Sequence, residues 1–190
     1  MIYRTLGRTG LKVSQLGFGA MRLPMKEVTG KEIVDRELAI PMIHRAFEAG
    51  VNYIDTAVGY CNEDSQRAVG DALKGWRDKI VLSTKNHYYG DDEKQWWAHL
   101  ENSLERLDVD YIDIYNHHGV NWKRYENDVE PRVSKWMLAA KDQGLIKHIC
   151  TSFHDDNAAL MRIVDAGYVE SITLQYNLLY RDLEEGIAYA

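Results

Sequence analysis

Apolar and polar residues alternate between two spacings along this chain. Short runs dense in apolar residues at 53–57, 80–84, 111–115, 147–151 and 171–175 predict strands. Between them, apolar residues recur with a helical period. Val69, Ala72, Leu73 and Trp76 fall at i, i+3, i+4 and i+7, and so do Trp97, Leu100, Leu104 and Leu107. Val133, Trp136, Met137 and Ala140 repeat the pattern, and Leu160, Ile163 and Val164 give a shorter version. Gly50, Gly144 and Gly167 stand where these helices should close, because a left-handed residue ends a helix most cheaply when it is glycine. Proline fits only the first helical turn, so Pro41 places the start of the first helix near Ile40. Ahead of these units, residues 2–5 and 11–13 flank the turn residues 7–10 and predict a β-hairpin. A short strand at 15–19 ends in glycine, the polar stretch 23–35 reads as loop, and 183–190 reads as the opening of a last helix.

Strand and helix alternating with a period of about 30 residues predict βαβ units and a parallel sheet, hence an α/β fold. An open doubly wound sheet and a closed (β/α)8 barrel share this pattern. The nucleotide-binding open sheet carries G-x-G-x-x-G after its first strand; here Gly17-Phe18-Gly19 is followed by Arg22 rather than a third glycine. Polar residues instead gather where the strands end: Asp55 and Tyr60, Lys85, His117 and His118, Ser152 and His154, and Gln175. Convergence from many strand ends favours the TIM barrel. Six strands are countable, so the expectation is one barrel domain over 1–190, preceded by a β-hairpin and short of two of its eight βα units.

Composition narrows the function. Lys plus Arg is 23 and Asp plus Glu is 29, a formal charge of −6, with no basic run, which disfavours a nucleic-acid partner. Two distant cysteines, Cys61 and Cys150, fit neither a disulfide framework nor a zinc ribbon, and no compact metal-ligand spacing occurs. With no apolar leader and no long apolar run, the expected setting is cytoplasmic, away from membranes.

The polar cluster has one coherent chemistry. A tyrosine ordinarily holds its proton up to about pH 10. A nearby ammonium favours its phenolate, a carboxylate keeps that ammonium in place, and a histidine can orient a carbonyl oxygen. Such a set adds a proton to an oxygen while another reagent attacks the carbon.

The residues that carry a resemblance are Tyr3-Arg4-Thr5-Leu6-Gly7-Arg8-Thr9-Gly10-Leu11, Leu16-Gly17-Phe18-Gly19-Ala20-Met21-Arg22, Tyr53-Ile54-Asp55-Thr56-Ala57 with Tyr60, Ser83-Thr84-Lys85, 107–115 with His118, and Gln175-Tyr176-Asn177. In this order the sequence resembles the aldo-keto reductase family, and within it bacterial members, some of which carry a C-terminal iron–sulfur domain. The resemblance implies reduction of a small aldehyde or ketone with NADPH, with Asp55, Tyr60, Lys85 and His118 catalytic and Tyr60 as general acid. It implies cofactor contacts at Gly19, Met21, Asp55, Ser152 and Gln175. The family often has Asn after that serine; here Phe153 and His154 follow, which leaves the second carboxamide contact open.

Taken singly, each of these residues has a plainer reading. Lys85 could be a solvated strand end, Tyr60 a rim aromatic, Asp55 a turn cap, His118 a hydrogen-bonded core residue and Ser152 a partner for backbone groups. Of the neighbouring histidines, His118 shares strand parity with Ile112 and Ile114, and His117 with Asp113 and Tyr115. The D-x-Y-x-x-H spacing that the resemblance implies, here Asp113, Tyr115 and His118, selects His118. Six strands leave two raw edges, so the expectation is a piece of a longer reductase, with self-association through the edges and a non-catalytic regulatory or scaffold subunit as the alternatives.

Overall fold

The structure, a computed structural model, describes residues 1–190. In chain order, β1 (Tyr3–Thr5) and β2 (Lys12–Ser14) form the expected antiparallel hairpin. Then come β3 (Phe18–Gly19), β4 (Met25–Val28), β5 (Lys31–Val34), α1 (Arg36–Glu48), β6 (Tyr53–Asp55) and α2 (Ser65–Leu73). β7 (Val81–Asn86), α3 (Glu93–Leu107) and β8 (Ile112–Val120) follow. A continuous helical stretch begins as α4 (Trp122–Arg124), widens into π-helical turns over Tyr125–Val133 and ends as α5 (Ser134–Asp142). β9 (Ile146–Phe153), α6 (Asn157–Asp165), β10 (Ser171–Leu174) and α7 (Glu184–Tyr189) complete the chain.

Six strands make one parallel sheet in the order β10-β9-β8-β7-β6-β3. It is strongly curled: the half-buried Tyr53 on β6 has its hydroxyl beside Ser83 on β7, Cys150 on β9 and Thr173 on β10. Side-chain alternation then gives the sheet two chemistries. Asp55, Ser83, Lys85 and Asn116 share the concave face, where their polar atoms meet. Thr84, Tyr115 and His117 share the convex face, against Gln66 of α2, Trp96 of α3 and Tyr168. The main apolar core fills the space between that convex face and α1, α2, α3 and α5, with Ile43, Ile54, Leu82, Leu100, Ile112 and Met137 all buried in it. A smaller cluster around Val120, Phe153, Leu160 and Leu183 seats α6 and α7.

The hairpin of β1 and β2 docks through its turn. The Arg8 backbone donates to Glu170 O at 2.8 Å, and its guanidinium donates to Gly167 O and Val169 O at 2.6 Å each. Gly7 has φ +47°, and a Cβ there would stand 2.3 Å from Glu170 O, so only glycine fits.

Several expectations need correction. The stretch 23–35 is not loop: β4 and β5 pair antiparallel around Thr29 and Gly30, both with positive φ (49° and 77°). Helix α1 begins four residues before Ile40, with Asp35 as its N-cap accepting from Glu37 N. Pro41 lies inside the helix, at the exposed side it shares with Glu37, so water can take the Glu37 carbonyl that proline leaves without its helical donor. On α3, Trp96 rather than Trp97 is fully buried, and Trp76 lies past the end of α2. Strands β7, β8 and β9 run further than expected, so Lys85, His118 and Ser152 are strand residues rather than loop residues.

Candidate active site

Asp55 ends β6 beside β7, and one of its carboxylate oxygens accepts from Lys85 Nζ. The other, Oδ1, accepts from Ser83 Oγ at 2.7 Å. Lys85 is 3% exposed. Its ammonium also donates to Thr56 O at 2.8 Å and lies 4.9 Å from the centre of the Tyr60 ring. The Tyr60 ring meets His118 edge-on at 6.3 Å between centroids. The structure therefore brings together all four residues expected to be catalytic.

Beneath them lies a chain of hydrogen bonds whose direction is fixed. Asn116 Nδ2 donates to Thr84 O and to Ser83 Oγ, both at 3.0 Å. A carbonyl oxygen only accepts, so the Asn116 nitrogen is the donor, Ser83 Oγ accepts, and the Ser83 proton points at Asp55. Asp55 is thus met by donors from two sides. Sequence reasoning missed Ser83 and Asn116. The signal was there: each sits two residues before a site residue, Lys85 or His118, on the same strand parity.

The adjacent histidines separate as strand parity implies. His117 is buried on the convex face with Nε2 3.1 Å from Tyr168 Oη, and burial pushes its pKa down to about 3. His118 is pushed down to about 4, first by burial and then by the charges of Lys85, His87, His154 and Arg124. It is a neutral imidazole at neutral pH, able to donate one N–H without carrying charge.

Tyr60 is presented by an unusual turn. Cys61, Asn62 and Glu63 follow it with φ of 51°, 53° and 66°, three successive non-glycine residues in the left-handed region. The surroundings hold this conformation. Cys61 Sγ donates to Met21 O at 3.4 Å, Asn62 Nδ2 to Glu32 O at 3.5 Å, and Arg106 pairs with Glu63 at 3.2 Å. Asp64 pairs with Arg36 and accepts from Val34 N at 2.8 Å. The Cys61 thiol is thereby a packing and hydrogen-bonding group.

The expected cofactor residues are less tightly gathered. Gly19 pairs in register with Asp55, is exposed, and has open space where a Cβ would be. Met21 is exposed beside Cys61. Ser152 Oγ accepts from Gly119 N at 2.7 Å, so this hydroxyl already serves the backbone and keeps one acceptor lone pair. Gln175 is exposed past the end of β10. It lines a cleft of about 470 Å³ with Phe153, His154, Asp156, Tyr180 and Asp182, none of them among the four clustered residues.

A curled parallel sheet with its polar groups on the concave face and its helices outside is the TIM-barrel arrangement. Residues 15–189 match the model of the aldo/keto reductase family, and the chain belongs to that family. An uncharacterized oxidoreductase, YqkF, of Bacillus subtilis is 29% identical over 192 residues, covering 96% of this chain and 58% of the relative. A probable voltage-gated potassium channel subunit beta of Oryza sativa is 36% identical over 163 residues, covering 80% of this chain and 46% of the relative. The aldo/keto reductase of Klebsiella pneumoniae, solved in complex with NADP and acetate, superposes with a TM-score of 0.75 at 25% identity, over 96% of this chain and 62% of that one. The chain thus spans a little over half the length of the Bacillus relative. No helix is long and apolar enough to cross a membrane.

Proposed function

We propose that this chain carries the catalytic residues of an NADPH-dependent oxidoreductase that reduces small aldehydes or ketones to alcohols. The observation that carries this reading is the packed set of Asp55, Lys85, Tyr60 and His118 on one concave sheet face. Bound NADPH supplies a hydride to the carbonyl carbon. Everything else falls to the chain. Tyr60 gives its phenolic proton to the carbonyl oxygen. Lys85, fixed by Asp55 and Thr56 O, places a positive charge beside the ring and so opposes the cost of the phenolate left behind. His118 is neutral, so it donates a hydrogen bond that orients the carbonyl oxygen without competing as the acid.

The residues present fit the nicotinamide end of the cofactor. At Gly19, in register with Asp55, nothing lies within 4 Å of where a Cβ would stand, so the backbone there is open to close approach. Met21 is exposed two residues further on, and the remaining lone pair of Ser152 suits a carboxamide N–H. Gln175 is the further polar contact in this reading. A second reading, a regulatory subunit without turnover, is favoured by the likeness to the Oryza channel subunit. NADPH consumption in the presence of carbonyl compounds separates the two. In the native protein, Tyr60→Phe should lower turnover by at least about 100-fold while NADPH affinity, read by fluorescence, stays within about twofold. Turnover that survives this substitution removes Tyr60 as the acid.

A further inference from the structure

Arg124 stands beside the site and belongs to none of the ion pairs of the chain. It is nevertheless held in place. Its NH1 donates to Gly119 O at 2.8 Å, and its guanidinium lies 4.7 Å from the centre of the Tyr89 ring. Tyr89 in turn donates its hydroxyl to His118 O at 2.9 Å. The guanidinium is therefore tied twice to the backbone that carries His118, once through the following residue and once through the stacked ring. The carboxylates that could neutralise it are committed elsewhere. Asp128, one turn along the same helical stretch, bonds Arg132 at 3.1 Å, and Asp91 pairs with Arg132 at 2.7 Å. Asp155 accepts from Trp122 N at 2.9 Å and from Asp156 N at 2.9 Å. A fixed, exposed guanidinium with four unused N–H groups and no carboxylate is the usual donor for a planar anion.

Lys85 and Arg124 both disfavour the protonated form of His118, and of the two only Lys85 has a carboxylate partner, Asp55.

We infer that Arg124 anchors an anionic group of the substrate, so that the preferred substrates are carbonyl compounds bearing a carboxylate at the far end of a short chain. This rests on the reductase reading above. The carbonyl oxygen lies between Tyr60 and His118, and the carboxylate reaches past His118 to the face of Arg124 turned away from Gly119. Arg124 acts on binding and orientation and takes no part in the proton or hydride transfer.

A matched pair of aldehydes tests this on the native protein: 4-oxobutanoate and butanal, equal in chain length and different in charge. The expected kcat/KM ratio favours 4-oxobutanoate by about tenfold or more, mostly through KM, as a charge-assisted hydrogen bond implies. Arg124→Gln should bring the ratio down toward one, and Arg124→Lys should restore part of it. A merely structural arginine would lower kcat/KM for both aldehydes and leave the ratio where it was. Equal kcat/KM for the two aldehydes, or a ratio that survives Arg124→Gln, overturns the inference. Calorimetric binding of butanoate gives a readout without turnover: the native protein should bind it, and Arg124→Gln should not. If neither aldehyde is consumed but butanoate binds through Arg124, the anion site stands and the reductase reading falls. Turnover without preference and without butanoate binding leaves the reductase reading and removes the anion site.

Discussion

His117 and His118 are chemically identical neighbours that the pleat sends to opposite faces of β8. The consequence for stability is testable at His117. Its pKa in the fold is about 3, below the roughly 6.5 of an unfolded chain. The unfolded state therefore binds a proton that the folded state refuses as the pH falls below about 6.5. The stability His117 permits at neutral pH is lost on acidification down to about pH 3, by about 2 kcal/mol between pH 7 and pH 5. Urea unfolding at those two values should show the loss in the native protein and a loss smaller by about that amount in His117→Gln, which keeps a partner for Tyr168. Equal losses in both proteins would mean that His117 is not buried as a neutral base. The choice of His118 for the site rested on the D-x-Y-x-x-H spacing of the family, and strand parity, a sequence property, said only that the two histidines face opposite ways. Ser83 and Asn116 share the same parity rule but are ordinary polar residues by type. What marks them is contact with Asp55 and Ser83, which only the curl of the sheet creates.

At the scale of elements, the strands and helices with a strong apolar period were readable, and the exceptions have physical causes. The hairpin of β4 and β5 pairs Glu27 with Glu32 and Lys26 with Ile33, so neither strand shows an apolar face, and tertiary contacts rather than periodicity settle it. One such contact is the Arg36–Asp64 pair, which ties the end of this hairpin to the left-handed turn after Tyr60. The early start of α1 escaped because Pro41 is a strong breaker signal only where its missing hydrogen bond would be buried. The docked turn of β1 and β2 gives the sharpest element-level test. Gly7→Ala sets a Cβ against Glu170 O and holds alanine at φ +47°, which should cost about 3 kcal/mol. Arg8 would lose Gly167 O and Val169 O if the turn lifted away, so exchange of the Arg8 amide, which donates to Glu170 O, should speed up before the rest of the sheet changes. An alanine variant with native stability and native protection would show that the hairpin is not seated this way.

For the whole molecule, the sheet order ends at β10 on one side and β3 on the other, and neither outer edge has a strand partner within residues 1–190. The β10 side is apolar as well as unpaired. Leu178 and Leu179 are 89% and 95% exposed, and a cleft of about 480 Å³ beside β10 is walled by Leu160, Val164, Leu174 and Ile187. An unpaired parallel edge flanked by exposed leucines lacks the charges and bulges that keep natural edges apart. The polypeptide 1–190 on its own should therefore associate at micromolar concentration, with sedimentation velocity showing species heavier than the monomer. The edge residue Thr173 is exposed, so Thr173→Lys should leave folding intact while placing a charge on the pairing strand, and the distribution should move toward monomer. Leu178→Lys with Leu179→Lys tests the apolar flank separately from the backbone edge. If only the leucine pair acts, association is side-chain driven and the strand edge is inert. If neither substitution moves the distribution, or the polypeptide sediments as a monomer throughout, the open edge is not what the fold leaves unsatisfied.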